Sequence, residues 1–312
     1  MSINSPKDNK SKQFNDVVLI VGPTASGKSA LALQLAKKQP SVIINADSAQ
    51  VYSDLRILSA RPSKQEMAGI DHRLYGYIDG AETCSAARWA RDAKSEIAAA
   101  HANDILPIMV GGTGLYVRTL LNGIAPIPKI DPVVRAQVRE LDVSKAYSSL
   151  ETEDPVSAER LNPRDVSRIM RALEVVRSSG KPMHHWHARL SGGIADEISL
   201  RPLVLLPPRE WLYERCDRRF QMMLAEGAMD EVETLMDRNL PEACPVMRAI
   251  GVREIRALIK GEITQEAAQS QAMAATRQYA KRQYTWFRNQ CPIDWPHYNM
   301  VINDDNILDI VI

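Results

Sequence analysis

Three short stretches carry residue types that can do chemistry together: Gly22-Pro-Thr-Ala-Ser-Gly-Lys28-Ser29, Asp47-Ser-Ala-Gln50 and Gly111-Gly-Thr113-Gly114. The first has the form of a loop for a di- or triphosphate. Its glycines let the main chain wrap with N–H groups turned inward, Lys28 supplies a mobile positive charge, and the Ser29 hydroxyl can hold Mg²⁺. The helix that starts there favours an anion. Asp47 has three open readings: a general base, a helix N-cap, or a Mg²⁺ ligand reached through water. Gly111–Gly114 offers a second set of N–H groups with the Thr113 hydroxyl, or a tight turn and no more.

The surrounding pattern says what must position these residues. Val17–Val21, Ser41–Asn45, Ile105–Val110 and Leu203–Leu206 are short apolar runs that read as buried strands. Helical patterns follow at 29–37, 85–102, from about Leu115, and at 212–224. Strands alternating with helices define the α/β class, here a P-loop NTPase-like core with a parallel sheet flanked by helices. In such sheets the carboxyl ends of the strands carry the chemistry, so the three stretches belong on one edge. Arg56–Pro62 and Asp71–Leu74 read as polar loops on that side, with His72 either lining a site or satisfied structurally.

Between Asn122 and Leu200 the texture changes to helical patterns with few strand candidates, opened by prolines at 126, 128 and 132. The expected organisation is a tail at 1–15, a core of 16–121 and 200–290, an all-helical insertion at 122–199, and a tail or edge strand at 291–312, with Ile307–Ile312 as its apolar run. In the insertion, the spacing of Arg164, Arg168 and Arg171 predicts one side of a helix, with Ile169, Leu173 and Val176 facing elsewhere. That basic side suits a phosphate backbone or is plain surface charge. His184, His185 and His187 lack a nearby carboxylate or cysteine to complete a usual metal set. One of Arg215, Arg218 and Arg219, early in the 212–224 helix, can reach the phosphate loop to neutralise a leaving group.

Composition sets wider bounds. The 312 residues are 45% apolar, enough for a large core, and the formal charge of +1 neither demands nor forbids a nucleic-acid partner. Cys84, Cys216, Cys244 and Cys291 show no paired close spacing, which argues against a zinc module or disulfide scaffold and suits a reducing cytoplasm. No signal-peptide core or run of 18 apolar residues is present, so membrane association is not expected.

Taken together with Arg171-Ala-Leu-Glu-Val175, Arg219-Phe220 and the run Ala275–Phe287, the three stretches resemble the bacterial tRNA dimethylallyltransferase family, over about residues 16–290. The resemblance implies transfer of a dimethylallyl group from its diphosphate to N6 of the adenosine immediately 3′ of the anticodon, in tRNAs reading codons that begin with U. It implies Mg²⁺, with Ser29 as the metal ligand, and catalytic roles for Asp47 as base, Thr113, and Arg219 at the pyrophosphate. Diphosphate binding would fall to Gly22, Thr24, Ala25, Ser26, Gly27, Lys28 and Ser29. Contacts to the tRNA anticodon stem-loop would fall to Asp47, Ser48, Ala49, Gln50, Thr113, Arg135, Arg164, Ser167, Arg168, Ile169, Met170, Arg171, Arg248 and Arg253, with Gln50 holding the flipped adenine. A monomer is expected. The family usually has Ile-Gly-Thr-Ala-Lys-Pro where this chain has Ile57-Leu-Ser-Ala-Arg-Pro62. If that glycine uses positive φ, Leu58 strains the loop by about 1 kcal/mol or more. Two rivals from other classes are an ATP-dependent kinase, which would ignore dimethylallyl diphosphate, and a non-catalytic RNA binder, which would hold tRNA unmodified.

Overall fold

The computed structural model describes residues 15–303 and 306–307. Residues 1–14 of the tail expected at 1–15, and residues 308–312 of the run expected at 307–312, lie outside the described residues. The chain forms two compact units: the described residues up to Leu120 with those from Ala195 onward, and Leu121–Ile194.

The first unit is built on β1 (Asp16–Val21), α1 (Lys28–Ala36), β2 (Ser41–Asn45), β3 (Asp71–Arg73), α2 (Ala86–His101), β4 (Leu106–Gly111) and α3 (Gly114–Asn122). The sheet has the order β3-β2-β4-β1, continued by β5 (Ser199–Leu205) and β6 (His297–Tyr298), and every pairing is parallel. Parallel neighbours require long crossovers, which explains the alternation of strand and helix. The central strands read as unbroken apolar runs because helices cover both faces. Ile20, Ile43, Ile108 and Leu205 are buried in one cluster with Leu31 of α1.

Two edge strands form without apolar runs, the second of them inside the segment expected as a tail or edge strand. Asp71–Arg73, expected as loop, pairs with Val42–Ile44 as β3, and His297–Tyr298 pairs with Val204–Leu205. Both are short, and an edge strand needs no apolar run to be held by one neighbour's main chain. β5 also starts earlier than expected, because Asp16 pairs with Ser199 at the far end of the ladder. Beyond β5 come α9 (Arg209–Ala225), α10 (Ala228–Asp237), α11 (Val252–Ile259) and α12 (Gln265–Gln290). Ile302 and Ile307 are buried against the same cluster as Ile20.

The second unit holds α4 (Pro132–Arg139), α5 (Val143–Glu153), α6 (Pro155–Arg160), α7 (Val166–Ser179) and α8 (Met183–His187). Aspartates cap the starts of α4 to α7: Asp131, Asp142, Asp154 and Asp165 each accept an N–H from the first turn. Val138, Leu150, Ile169 and Leu173 form its core, and a bridge between Ile124 and Ser191 joins its two chain ends.

Two expectations for α7 need correction. Arg164 precedes the helix, in the turn that leads to the Asp165 cap, because that aspartate offers the backbone a better start than continuing the helix toward Pro163. Only Arg168 and Arg171 are helical, and neither stands in a purely basic field: Arg168 lies 3.4 Å from Asp165 and Arg171 3.6 Å from Glu174. Ile169, expected among RNA contacts, is fully buried. Ile169→Ala is therefore expected to lower the stability of the second unit by about 2–5 kcal/mol, read by denaturant or thermal melting. A drop in tRNA affinity with unchanged melting would return Ile169 to the surface role.

Candidate active site

The three chemical stretches follow β1, β2 and β4, which are adjacent in the sheet, so the phosphate loop, Asp47 and the Gly111–Gly114 turn meet at one edge. The loop's first turn depends on Gly22, whose φ is 152° and whose missing Cβ would stand 2.4 Å from the Leu205 carbonyl oxygen. Lys28 opens α1 and is buried; its Nζ donates to the Pro23 carbonyl at 2.6 Å. Burial pulls the Lys28 pKa down to about 8, with the Asp47 carboxylate acting in the opposite sense and Arg219 adding to the fall. Ser26 Oγ is buried with no hydrogen-bond partner, a cost that a bound anion or metal–anion pair would remove. Ser29 is exposed at the same helix start and lines the same cavity.

Asp47 is braced from its own turn. Asn45 Oδ1 accepts the Asp47 N–H at 2.8 Å, and Asp47 Oδ1 accepts the Ala49 N–H at 2.9 Å. Asn45 is itself tied down, since its carbonyl accepts from the Trp89 indole at 2.8 Å. Thr113 joins the turns after β4 and β2: its Oγ1 accepts the Ser48 N–H at 2.9 Å and donates to Ser48 Oγ at 3.1 Å. Gln50 donates to the carbonyls of Ser59 and Ala60, at 3.0 and 2.8 Å, and so braces the 57–61 loop.

Of the neighbouring arginines on α9, Arg219 is the one that reaches the loop. Its Nη2 donates to Thr24 Oγ1 at 2.5 Å, and burial lowers its pKa. Arg218 is exposed at the rim of the cavity, and Arg215 stacks on Trp211 at 4.7 Å. Arg248 and Arg253 are exposed, and Arg248 lines a second cavity. Within the second unit, Arg135 and Arg171 both approach the buried Glu174 carboxylate, at 3.8 and 3.6 Å; Ser167 is exposed and Met170 half-buried.

Two residues with no local signal organise the edge. Glu231 on α10 accepts three consecutive N–H groups, from Arg56, Ile57 and Leu58, at 2.6, 2.8 and 2.9 Å. Gln283 on α12 accepts the Thr24 N–H, which removes that group from those turned toward a phosphate. The anticipated strain at Leu58 is absent: the positive φ in this loop, 54°, belongs to Ala60. The Leu58 side chain instead fills space beside Gly251, where a Cβ would come within 2.9 Å of it.

Two cavities meet here. One of about 640 Å³ follows the phosphate loop and is lined by Lys28, Arg56, Arg61, Arg215 and Arg218. The other, of about 390 Å³, is lined by Tyr52, Tyr116, Phe220, Tyr279 and Arg282. Thr24, Asp47, Ser59, Arg219 and Met223 line both. Glu66, Glu214 and Glu226 also line the first cavity, and a loop of this form joined through Asp47 to an aromatic chamber suits a group transferase with a phosphorylated donor and a second, planar acceptor.

The comparisons are consistent with that class. A family model described as IPP transferase matches residues 50–290, and the chain belongs to this family. A tRNA dimethylallyltransferase of Erythrobacter litoralis is 58% identical over 285 residues, 90% of either chain, and one of Novosphingobium aromaticivorans is 57% identical over 87% of this chain and 95% of its own. Among solved structures, a tRNA isopentenylpyrophosphate transferase of Bacillus halodurans is 32% identical with a TM-score of 0.68, covering 95% of this chain and 94% of its own. A eukaryotic dimethylallyltransferase acting on tRNA gives a TM-score of 0.76 at 31% identity, over 87% of this chain and 69% of that one. Among the described residues no helix is long and apolar enough to cross a membrane, and no cluster of three His, Cys, Asp or Glu side chains could hold a metal.

The lowered Lys28 pKa has a signed consequence. Its charge is present below the folded pKa of about 8 and is lost as pH rises through it. Affinity for a diphosphate is expected to fall between roughly pH 7 and pH 9, and Lys28→Ala to bind more weakly with a flat profile over that range. Equilibrium titrations of both proteins across the series check this; parallel profiles would place the titrating group elsewhere.

Proposed function

We infer that this enzyme transfers the dimethylallyl group of dimethylallyl diphosphate to N6 of an adenosine in tRNA and releases diphosphate. The observation that carries the reading is the shared wall: Asp47, Thr24 and Arg219 border the phosphate-loop cavity and the aromatic cavity at once. The N6 lone pair is delocalised into the ring, so Asp47 accepts the N6 proton as the new C–N bond forms. The C–O bond to the diphosphate breaks with its electron pair leaving on oxygen, and Lys28 and Arg219 neutralise that charge. An adenine reaches such a chamber only when flipped from its stack.

The acceptor we assign is the adenosine immediately 3′ of the anticodon, in tRNAs reading codons that begin with U, presented by the anticodon stem-loop. Exposed Arg164 and Arg168, with Arg135 and Arg171, suit its phosphates, and Ser167, Met170, Arg248 and Arg253 are proposed further contacts. The divalent ion of this family is assigned as Mg²⁺. The unpartnered Ser26 hydroxyl fits a site for such an ion together with a diphosphate, and the Ser29 hydroxyl would be the protein's own ligand to it. When bound, it would share the charge on the leaving diphosphate. One chain lines both cavities, so the reading needs only a monomer, and free cysteines suit the cytoplasm.

Incubation with labelled dimethylallyl diphosphate and unmodified tRNA is expected to label the tRNA; acceptor-dependent ATP turnover without transfer would instead indicate a kinase. Asp47→Asn keeps an acceptor for the Ala49 N–H and should lower the single-turnover rate by about 10²–10⁴-fold while both substrates still bind. Near-normal chemistry in that variant would remove Asp47 from the base role.

Arg219→Lys keeps a positive charge and loses the planar donor fork, so transfer should fall by about 10²-fold, more than donor affinity does. Arg218→Lys, at the exposed rim, should stay within about threefold of the parent. The reverse order of severity in single-turnover rates would transfer the role to Arg218.

A further inference from the structure

Gln283 lies in the last third of α12 and is 5% exposed. Its side-chain amide is committed at both ends to main chain: Oε1 accepts the Thr24 N–H at 2.8 Å, and Nε2 donates to the Gly112 carbonyl at 2.9 Å. Thr24 carries the hydroxyl that Arg219 holds, and Gly112 lies against Asp47, since a Cβ placed there would stand 3.2 Å from Asp47 Oδ2. The same Cβ would stand 2.1 Å from Gln283 Nε2, so the glycine leaves room for the amide. A single buried group thus spans the diphosphate side and the base side of the site.

We propose that Gln283 is a positioning residue for transfer: it fixes the spacing between the phosphate loop and the Gly111–Gly114 turn, so that Asp47 and Arg219 address the same reacting pair of atoms. The proposal rests on the transferase reading above. A side chain that merely filled this space would be apolar, because a buried amide is costly unless both ends are bonded. The two turns demand one acceptor and one donor at a fixed separation. A primary amide supplies both; a carboxylate lacks the donor, and asparagine is one methylene shorter. The β1–β4 ladder ends at Val21 and Gly111, three residues before Thr24 and one before Gly112, and the two amide bonds extend that fixed spacing past the last ladder pair. Transfer between two bound substrates is sensitive to it, since a displacement of about 1 Å can cost about 10²-fold in rate.

The test uses the full chain with Gln283→Met, which keeps length without donor or acceptor, and Gln283→Asn, which cannot reach both turns. Melting temperature, separate affinities for dimethylallyl diphosphate and unmodified tRNA, and single-turnover transfer are measured for each. Both variants are expected to bind each substrate within about threefold of the parent and to transfer on the order of 30–100-fold more slowly. Gly112→Ala should displace the amide and give a similar loss, and the losses should not add in the Gly112→Ala, Gln283→Asn double variant. If Gln283→Met does not fold, Gln283→Asn and Gly112→Ala carry the comparison. Transfer within about threefold of the parent, or a rate loss matched by equal losses in both affinities, overturns the proposal. Failure of the transferase reading shows separately, as a parent chain that transfers nothing.

Discussion

Two cations, the buried Lys28 and the half-buried Arg219, stand in the wall of the site with a single carboxylate, Asp47, acting on both. Taking a charge out of water costs several kcal/mol after relaxation, and two like charges together cost more. Burial lowers both pKa values, the direction expected when positive charge is short of partners. Such a site is unfavourable empty and favourable with an anion in it. It persists because the surrounding fold fixes its parts: the parallel sheet sets the loop, Asn45 holds the Asp47 main chain while the Ala49 N–H braces its carboxylate, and α9 brings in Arg219. The unpartnered Ser26 hydroxyl belongs to the same economy, a polar group held ready rather than satisfied.

The strand-end chemistry was legible in the sequence because its signals are local. Gly22 to Ser29, Asp47 and Thr113 each sit within a few residues of an apolar run, and the parallel order places them together. What the sequence could not show is which distant residue closes each gap. Gln283 is 259 residues from Thr24 and 171 from Gly112, and Glu231 is 173 to 175 residues from the amides it accepts. Glutamine and glutamate on long helices read as solvated surface, and nothing in helical periodicity separates these two from their neighbours. The misplacement of Arg164 has the opposite cause: a correct spacing argument extended through a residue that an aspartate cap excludes from the helix.

The 57–61 loop shows how a local rule can be right about chemistry and wrong about place. A side chain at a glycine position suggests strain, yet Leu58 lies in ordinary backbone space and the left-handed residue is Ala60. The loop is held by ligation of its main chain instead, with Glu231 accepting three N–H groups at one end and Gln50 donating to two carbonyls at the other. A loop fastened through backbone atoms tolerates side-chain replacement more readily than one fastened through side chains. Leu58 can therefore pack beside Gly251 and line the aromatic cavity while the fold of the loop is unchanged.

Charge is handled differently in the second unit. There Glu174 is buried with Arg135, Arg139 and Arg171 at 3.8, 3.3 and 3.6 Å, so three guanidinium groups share one carboxylate. The Glu174 side chain is 5% exposed while the arginine side chains are 46%, 67% and 42% exposed, so each arginine remains partly open to solvent. Three guanidinium groups at this carboxylate offset the cost of burying it, and the cluster also orders the surface around it. Its effect is geometric: one buried anchor holds long side chains that would otherwise sample many rotamers, at a net charge that stays positive. A surface of that kind loses less conformational entropy on meeting an anion than one of unanchored side chains would.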